Sequence, residues 1–414
     1  MYIWYVSLYE PLPIDGIDVR KMRTGWICNS LLEEKSLVEL WIPGFDHIKH
    51  EHFKKESANE IIRDGFSVQY LKGIGYETDT SPKRFFHNKY LANEFRRISS
   101  SRKIIPDLII TQIPSLELAE EVIKFAKKHK IPSIVDIRDL WPDIYKRLLP
   151  SKLDWLYKVL FFKEILRLKF ILKNCTEITA ISSDYLKWGE KYSKRKIKSS
   201  NIFYIGYCKT EVIDKTSWYE FLKSKNIPNK KKYIIFSGTF CESYDLSPIA
   251  KACKILKQRG YYDYHFLIAG KGEIQKSIQE DLSNSNEVSL LGWLNKKELQ
   301  LCLSNSNAGL APYSKDALMS LPNKFFEYLA FNLPIISSLK SEMEILINKK
   351  KLGFNYCSNS SKSLANAIIE FDRNFENKSF LNSIQKEFED NFDGKKIYSE
   401  YAKFAKKISK KRLK

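Results

Sequence analysis

Twice along this chain a short apolar run leads through a loop into an amphipathic segment and out into another apolar run. The first instance is Tyr2–Leu8, the turn-rich loop Tyr9–Gly16, a helical pattern over Val19–Glu34 and the run Leu37–Ile42. The second starts at Tyr233–Phe240, passes through a helical pattern over Leu246–Arg259 and re-enters an apolar run at Tyr264–Ala269. Strand, loop, helix, strand is the order of a parallel α/β sheet, and two beginnings of it predict two sheets. Ligands of such sheets sit beyond the carboxyl ends of the strands. Residues that carry chemistry are therefore to be sought there.

With 414 residues the chain can bury two separate cores, and 43% hydrophobic with 14% aromatic residues excludes a disordered chain. The formal net charge is +20. Part of the excess crowds the end (Lys403, Lys406, Lys407, Lys410, Lys411, Arg412, Lys414), and part lies in Lys187, Lys191, Lys194, Arg195, Lys196 and Lys198. Such patches attract nucleic acid or an anionic membrane face, although lysine-rich composition alone also produces them. The seven cysteines are scattered without Cys-x-x-Cys spacing, as expected of reduced thiols in the cytoplasm and not of a disulfide frame or zinc site. The chain opens directly on a strand-like run, so no signal peptide is expected, and no apolar segment is long enough to cross a bilayer.

Several strand ends carry candidate residues. Asp15 and Gly16 follow the first run, where Gly16 also reads as an ordinary turn glycine. His47 follows the second strand and can act as a base near neutral pH, while His50 and His52 beside it lack metal spacing. The strand Pro132–Asp136 runs into Asp136-Ile-Arg-Asp-Leu-Trp-Pro-Asp143; carboxylates and an arginine there suit hydroxyls and phosphate. The alternative is an Arg138–Asp139 salt bridge with Trp141 plugging the core. In the second half Gly238 and Thr239 follow one strand, and Gly270, Lys271 and Gly272 another; small loops let backbone N–H groups approach phosphate. Neither loop has the Walker spacing. Over 152–173, Trp155, Val159, Phe162, Leu166 and Phe170 form a helical stripe among lysines, which suits an acidic bilayer surface or a core helix with snorkelling lysines.

The stretch Ser320-Leu-Pro-Asn-Lys-Phe-Phe-Glu-Tyr-Leu-Ala330 reads as a loop entering a helix, with Pro322 suited to its first turn. Lys324 and Glu327, three apart near the helix start, can face one ligand together or form a plain surface pair. This stretch resembles the donor-site signature of retaining glycosyltransferases of family four with the GT-B fold. More narrowly it is similar to the bacterial capsule and O-antigen branch, with its Pro-Ser-Lys-x-x-Glu-Tyr-Leu-Ala pattern. Asn323 stands where that branch usually has Ser, and Met319 where the wider family has the first of two glutamates. The Asp136–Asp143 segment is also similar to that branch.

The resemblance implies two Rossmann-like domains, an acceptor domain over 1–208 and a donor domain over 232–390, joined by a linker at 209–231. A terminal helix over 391–414 would return to the first domain. It implies retaining transfer of a hexosyl or N-acetylhexosaminyl group from a nucleotide diphosphate-sugar, on this reading a UDP-sugar, to a lipid-linked (undecaprenyl-diphosphate) oligosaccharide. The protein would sit on the inner face of the cytoplasmic membrane through the 152–163 helix and basic patches, without metal cofactor or nucleic acid. Lys324, Asp139 and His47 become the catalytic candidates. Glu327, Gly238, Thr239, Gly270, Lys271, Gly272, Trp293, Leu294, Pro322 and Asn323 become the donor-site candidates. Asp15, Gly16, Asp136 and Arg138 fall to the acceptor. Two rival readings are a GT-B epimerase of nucleotide sugars and a basic nucleic-acid-binding protein, the latter predicting exposed sheet aromatics.

Overall fold

A computed structural model describes residues 1–8, 10, 21–47, 49–78, 81–148, 154–209, 216–283 and 285–411. Its contacts divide the chain into two compact units, Met1–Tyr204 with Lys395–Lys414, and Ile205–Gly394.

The first unit is built on seven strands: β1 (Tyr2–Val6), β2 (Leu37–Pro43), β3 (Ala58–Arg63), β4 (Phe66–Leu71), β5 (Leu108–Ile113), β6 (Ser133–Ile137) and β7 (Glu177–Ala180). They lie in the order β3-β4-β2-β1-β5-β6-β7. Pairing is parallel throughout, as in Tyr5 with Leu40 and with Ile110, except that β3 runs antiparallel to β4. Strands covered on both faces must be apolar along their whole length, and Ile3 to Val6 and Leu108 to Ile110 are all fully buried. Trp4 packs on Trp41 at 4.7 Å and on Phe125 at 5.4 Å between ring centroids.

The C-terminal helix Gly394–Ser409 belongs to this unit apart from its first residue. Tyr398, Tyr401, Ala402, Ala405 and Ile408, spaced by threes and fours, make its buried stripe. Tyr401 meets Phe203 at 4.9 Å. The basic tail is less bare than its sequence suggests, since Lys406 pairs with Glu34 at 3.4 Å and Lys411 with Glu177. In the other basic cluster Arg195 donates to the carbonyls of Leu172 (2.9 Å) and Cys175 (3.0 Å). It thereby caps the C-terminus of the helix Phe162–Asn174.

The second unit carries β8 (Lys232–Ser237), β9 (Tyr264–Ala269), β10 (Val288–Gly292), β11 (Ala308–Ala311), β12 (Ile335–Ser337) and β13 (Gly353–Asn355). The order is β10-β9-β8-β11-β12-β13, with every pair parallel. Helices Pro248–Gln258 and Ser361–Asn374 cover one face and contribute Ile249, Cys253, Leu364 and Ile368 to the core.

Two expectations need correction. The lysine-rich linker contains the helix Thr216–Ser224, because Trp218, Phe221 and Leu222 share one face and Trp218 packs edge-on against Tyr233 at 5.3 Å. The helix expected over 152–173 is two, Asp154–Leu160 and Phe162–Asn174, broken at Phe161. Beyond these helices, Ile202 makes a single bridge to Ala180, and the next two residues, Phe203 and Tyr204, give their carbonyls to Arg23.

Candidate active site

The helix Asn323–Ala330 is placed by Tyr328. Its hydroxyl donates to the carbonyls of Leu310 (2.9 Å) and Ile235 (3.2 Å), and its ring lies over Gly309, where a Cβ would overlap it. Pro322 is extended and stands just before the first turn instead of inside it. Asn323 is exposed.

That placement brings two side chains of the helix to the carboxyl end of β8. Lys324, only 6% exposed, points its ammonium at Gly238, where even a Cβ would collide with Nζ. Nζ donates to the Tyr244 hydroxyl at 3.1 Å and sits over the rings of Tyr244 (4.6 Å) and Phe236 (4.8 Å). Among the described residues it has no carboxylate within ion-pair distance. An ammonium carries three donors, and burial makes an uncompensated one costly. Ring faces recover only a part of that cost. Glu327, 5% exposed, accepts from the Ser237 hydroxyl at 3.4 Å. The lysine–glutamate pair marked by the sequence thus converges on one strand end.

The glycine loops have a different role from the one expected. The N–H of Gly238 donates to the Ala269 carbonyl at 3.0 Å and that of Gly270 to the Gly292 carbonyl at 2.8 Å. These two amides are spent within the protein and are not offered to phosphate. Gly270, at φ +153°, and Gly272 instead let the ends of β8 and β9 touch backbone to backbone; a Cβ on either would land on a carbonyl oxygen, of Gly238 or Phe240. Thr239 and Lys271 are exposed beside them, Trp293 is 67% exposed and Leu294 is buried.

In the first unit Asp136 is overturned as an acceptor-binding residue. It is fully buried, and Arg23 grips it through Nε–Oδ2 (2.9 Å) and Nη2–Oδ1 (3.0 Å), while Thr179 donates to Oδ1 at 2.7 Å. Burial alone would raise its carboxyl, yet Arg23 holds it below the usual range. Arg138 pairs with Glu10 and bonds Gln112 and, at 3.1 Å, Thr24. Asp139 accepts from the Leu140 N–H at 2.6 Å. Glu10, Thr24, Gln112 and Arg138 form a polar cluster at strand ends, the expected ligand location. Arg23 and Glu10 carried no sequence signal, because their ion-pair partners, Asp136 and Arg138, lie more than a hundred residues away. Asp15 and Gly16 lie outside the described residues.

His47 borders a small pocket with Leu8, Phe45, Tyr76, Arg84 and His87. His87 is 3% exposed, its Nδ1 accepts the Gly75 N–H at 3.0 Å, and burial, helped by His52 and Arg84, lowers its pKa to about 4. Among the described residues no group of three or more acidic, histidine or cysteine side chains forms a metal site.

Residues 219–383 match the family Glycosyl transferases group 1. Sucrose-phosphate synthase from Thermosynechococcus elongatus aligns over 98% of both chains with a TM-score of 0.71 at 12% identity. The catalytic domain of starch synthase IV from Arabidopsis thaliana, bound to ADP and acarbose, aligns over 99% of both chains (TM-score 0.66, 10% identity). HepE from Anabaena, in complex with UDP, aligns over 98% of this chain and all of its own (TM-score 0.63, 11% identity). The fold is GT-B. No curated protein sequence matches the chain. Within the GT-B fold, the Lys324–Glu327 helix falls inside the segment matched to the glycosyl transferase family.

Proposed function

We propose that this chain is a retaining glycosyltransferase that moves a sugar from a nucleotide diphosphate-sugar, on our reading a UDP-sugar, to a lipid-linked oligosaccharide of a surface polysaccharide. The observation that carries the reading is Lys324: a nearly buried ammonium with donors to spare, on the first turn of a helix, beside a buried carboxylate. The first-turn N–H groups and the helix dipole favour an anion at the same end. A diphosphate satisfies both, and Glu327 can accept from a ribose diol. The family match over 219–383 and the nucleotides held by the Anabaena and Arabidopsis proteins support a nucleotide donor.

In the reaction the bond from the anomeric carbon to the diphosphate oxygen breaks, and a bond to the acceptor hydroxyl forms on the same face. The hydroxyl proton leaves with the departing phosphate. Lys324 neutralises charge that develops on the diphosphate, an interaction worth about a hundred- to a thousandfold in rate where single donors have been removed. Asp139 and His47 are assigned to the acceptor side, together with Arg138 and its polar cluster.

Heat stabilisation by a panel of nucleotide sugars identifies the donor, since a ligand that binds only the folded state raises the melting temperature. With that donor, Lys324→Ala and Glu327→Gln are each expected to lower turnover at least about a hundredfold without loss of fold. Turnover at the wild-type level in either variant, or a panel without any stabilising nucleotide, counts against the assignment.

A further inference from the structure

The helices Asp154–Leu160 and Phe162–Asn174 run almost continuously, the N–H of Phe161 reaching the Tyr157 carbonyl at 2.9 Å and that of Ile165 the Phe161 carbonyl at 2.9 Å. One side of this rod is core: Tyr157, Leu168, Ile171 and Leu172 are buried. The other side is also apolar but is in the open. Trp155 is 62% exposed, Val159 64%, Leu160 62%, Phe162 58% and Leu166 48%. Positions 155, 159, 162 and 166 repeat at helical spacing and fall on one stripe, which continues into the exposed Lys169 and Lys173. Lys158 and Lys163 flank it, also exposed. A helix apolar all round is ordinarily buried all round.

The exposure is held in place by the fold. Asp143 accepts from the hydroxyls of Tyr157 (2.7 Å) and Tyr192 (2.6 Å), from the Trp188 indole (3.1 Å) and from Lys146 (2.8 Å). Burial would raise this carboxyl, but its donors hold it below the usual range. Tyr157, two residues from Trp155 and one turn from Phe161, is thus pinned with its helix against the helix Ser183–Ser193, which carries the exposed Lys187 and Lys191.

We infer that the 155–166 face docks on an anionic lipid surface, with its Trp and aliphatic side chains among the acyl chains and its lysines at the headgroups. Charge complementarity selects this occupant. A second copy would set the same lysines against each other on a chain already at +20. An acidic bilayer supplies both the apolar layer and the negative charge, each adjacent Lys adding to the attraction. The inference does not rest on the sugar-transfer reading, because it concerns vesicle binding in the absence of any donor.

The test is flotation of the full chain with vesicles of phosphatidylcholine alone or with about a third phosphatidylglycerol, at low and high salt. Salt-sensitive binding to the anionic vesicles only is expected. W155S/F162S and, separately, K158E/K163E are expected to weaken it at least about tenfold with unchanged melting temperature, since the changed side chains lie in the open. Failure of the wild type to bind anionic vesicles, or wild-type binding by either variant, overturns the inference. So does a wild-type dimer that W155S/F162S dissociates, because the face would then belong to a second copy. Binding to polyglutamate but not to vesicles, lost in W155S/F162S, would assign it to an acidic protein.

Discussion

A lysine ammonium enclosed by protein needs acceptors, and the described ones at Lys324 are the Tyr244 hydroxyl at 3.1 Å and two ring faces. Tyr244 lies just beyond the end of β8, and its hydroxyl holds the Lys324 cation at the strand end. Tyr244→Phe keeps the ring and removes the acceptor. A hydrogen bond to a charged group contributes about 1.5–3 kcal/mol to the folded state, so the melting temperature is expected to fall, and turnover per folded molecule with the identified donor is expected to fall about tenfold or more as the ammonium loses the acceptor that holds it. Steady-state kinetics measure this, and an unchanged turnover number would separate Tyr244 from the lysine. Distance along the chain decides what was legible at residue scale. Lys324 and Glu327 share one helix turn, and their spacing announces them. Tyr244 sits 80 residues before its partner, and Arg23 lies 113 residues from Asp136. Only the fold brings such pairs together, so Asp136 read as a ligand-binding carboxylate when it is half of a buried ion pair.

At the scale of elements, the Asn323–Ala330 helix carries the site but has few residues with which to fix its own position. Tyr328 does that by resting on Gly309 and bonding two strand carbonyls. Gly309→Ala would drive a methyl into a ring that has nowhere to retreat. Overpacking of this kind costs about 1–3 kcal/mol. We expect a lower melting temperature together with a disproportionate loss of transfer, because Lys324 and Glu327 move with the helix. Loss of stability alone, with turnover per folded molecule unchanged, would show that the helix tolerates the shift. Elements themselves were readable wherever the pattern was clean: the apolar runs at Tyr2, Leu37, Tyr233 and Tyr264 became parallel strands. The helix Lys83–Ser101 gave little signal because Phe85 and Phe86 are exposed while polar His87, Glu94 and Ser99 are buried, which blurs its apolar periodicity. Strand β3 alternates half-buried and exposed positions on a sheet edge, a pattern that a polar loop imitates.

At the scale of the whole molecule, each unit holds one histidine that burial keeps neutral. His87 belongs to the first; its Nδ1 accepts a backbone N–H and so cannot carry a proton without breaking that bond. His265 belongs to the second, 2% exposed and within 2.8 Å of the Ser289 hydroxyl. Both are lowered to about 4, chiefly by desolvation. The unfolded chain titrates its histidines near pH 6.5. Between about pH 6.5 and 4 the unfolded state therefore binds more protons, and stability falls as pH falls. The slope is at most about 1.4 kcal/mol per pH unit for each histidine. Below both values the loss is complete; above pH 6.5 neither residue contributes a slope. Burial raises Glu39 and Glu117, which act in the opposite sense, but they are common to every variant and cancel in a comparison. The double variant His87→Asn, His265→Asn is expected to start less stable at pH 7.5 and to lose less on acidification to pH 5. Urea unfolding at half-unit pH intervals gives the two slopes. Parallel slopes for wild type and double variant would mean that neither imidazole is held neutral in the folded protein, and that acid sensitivity in both units comes from carboxylates alone.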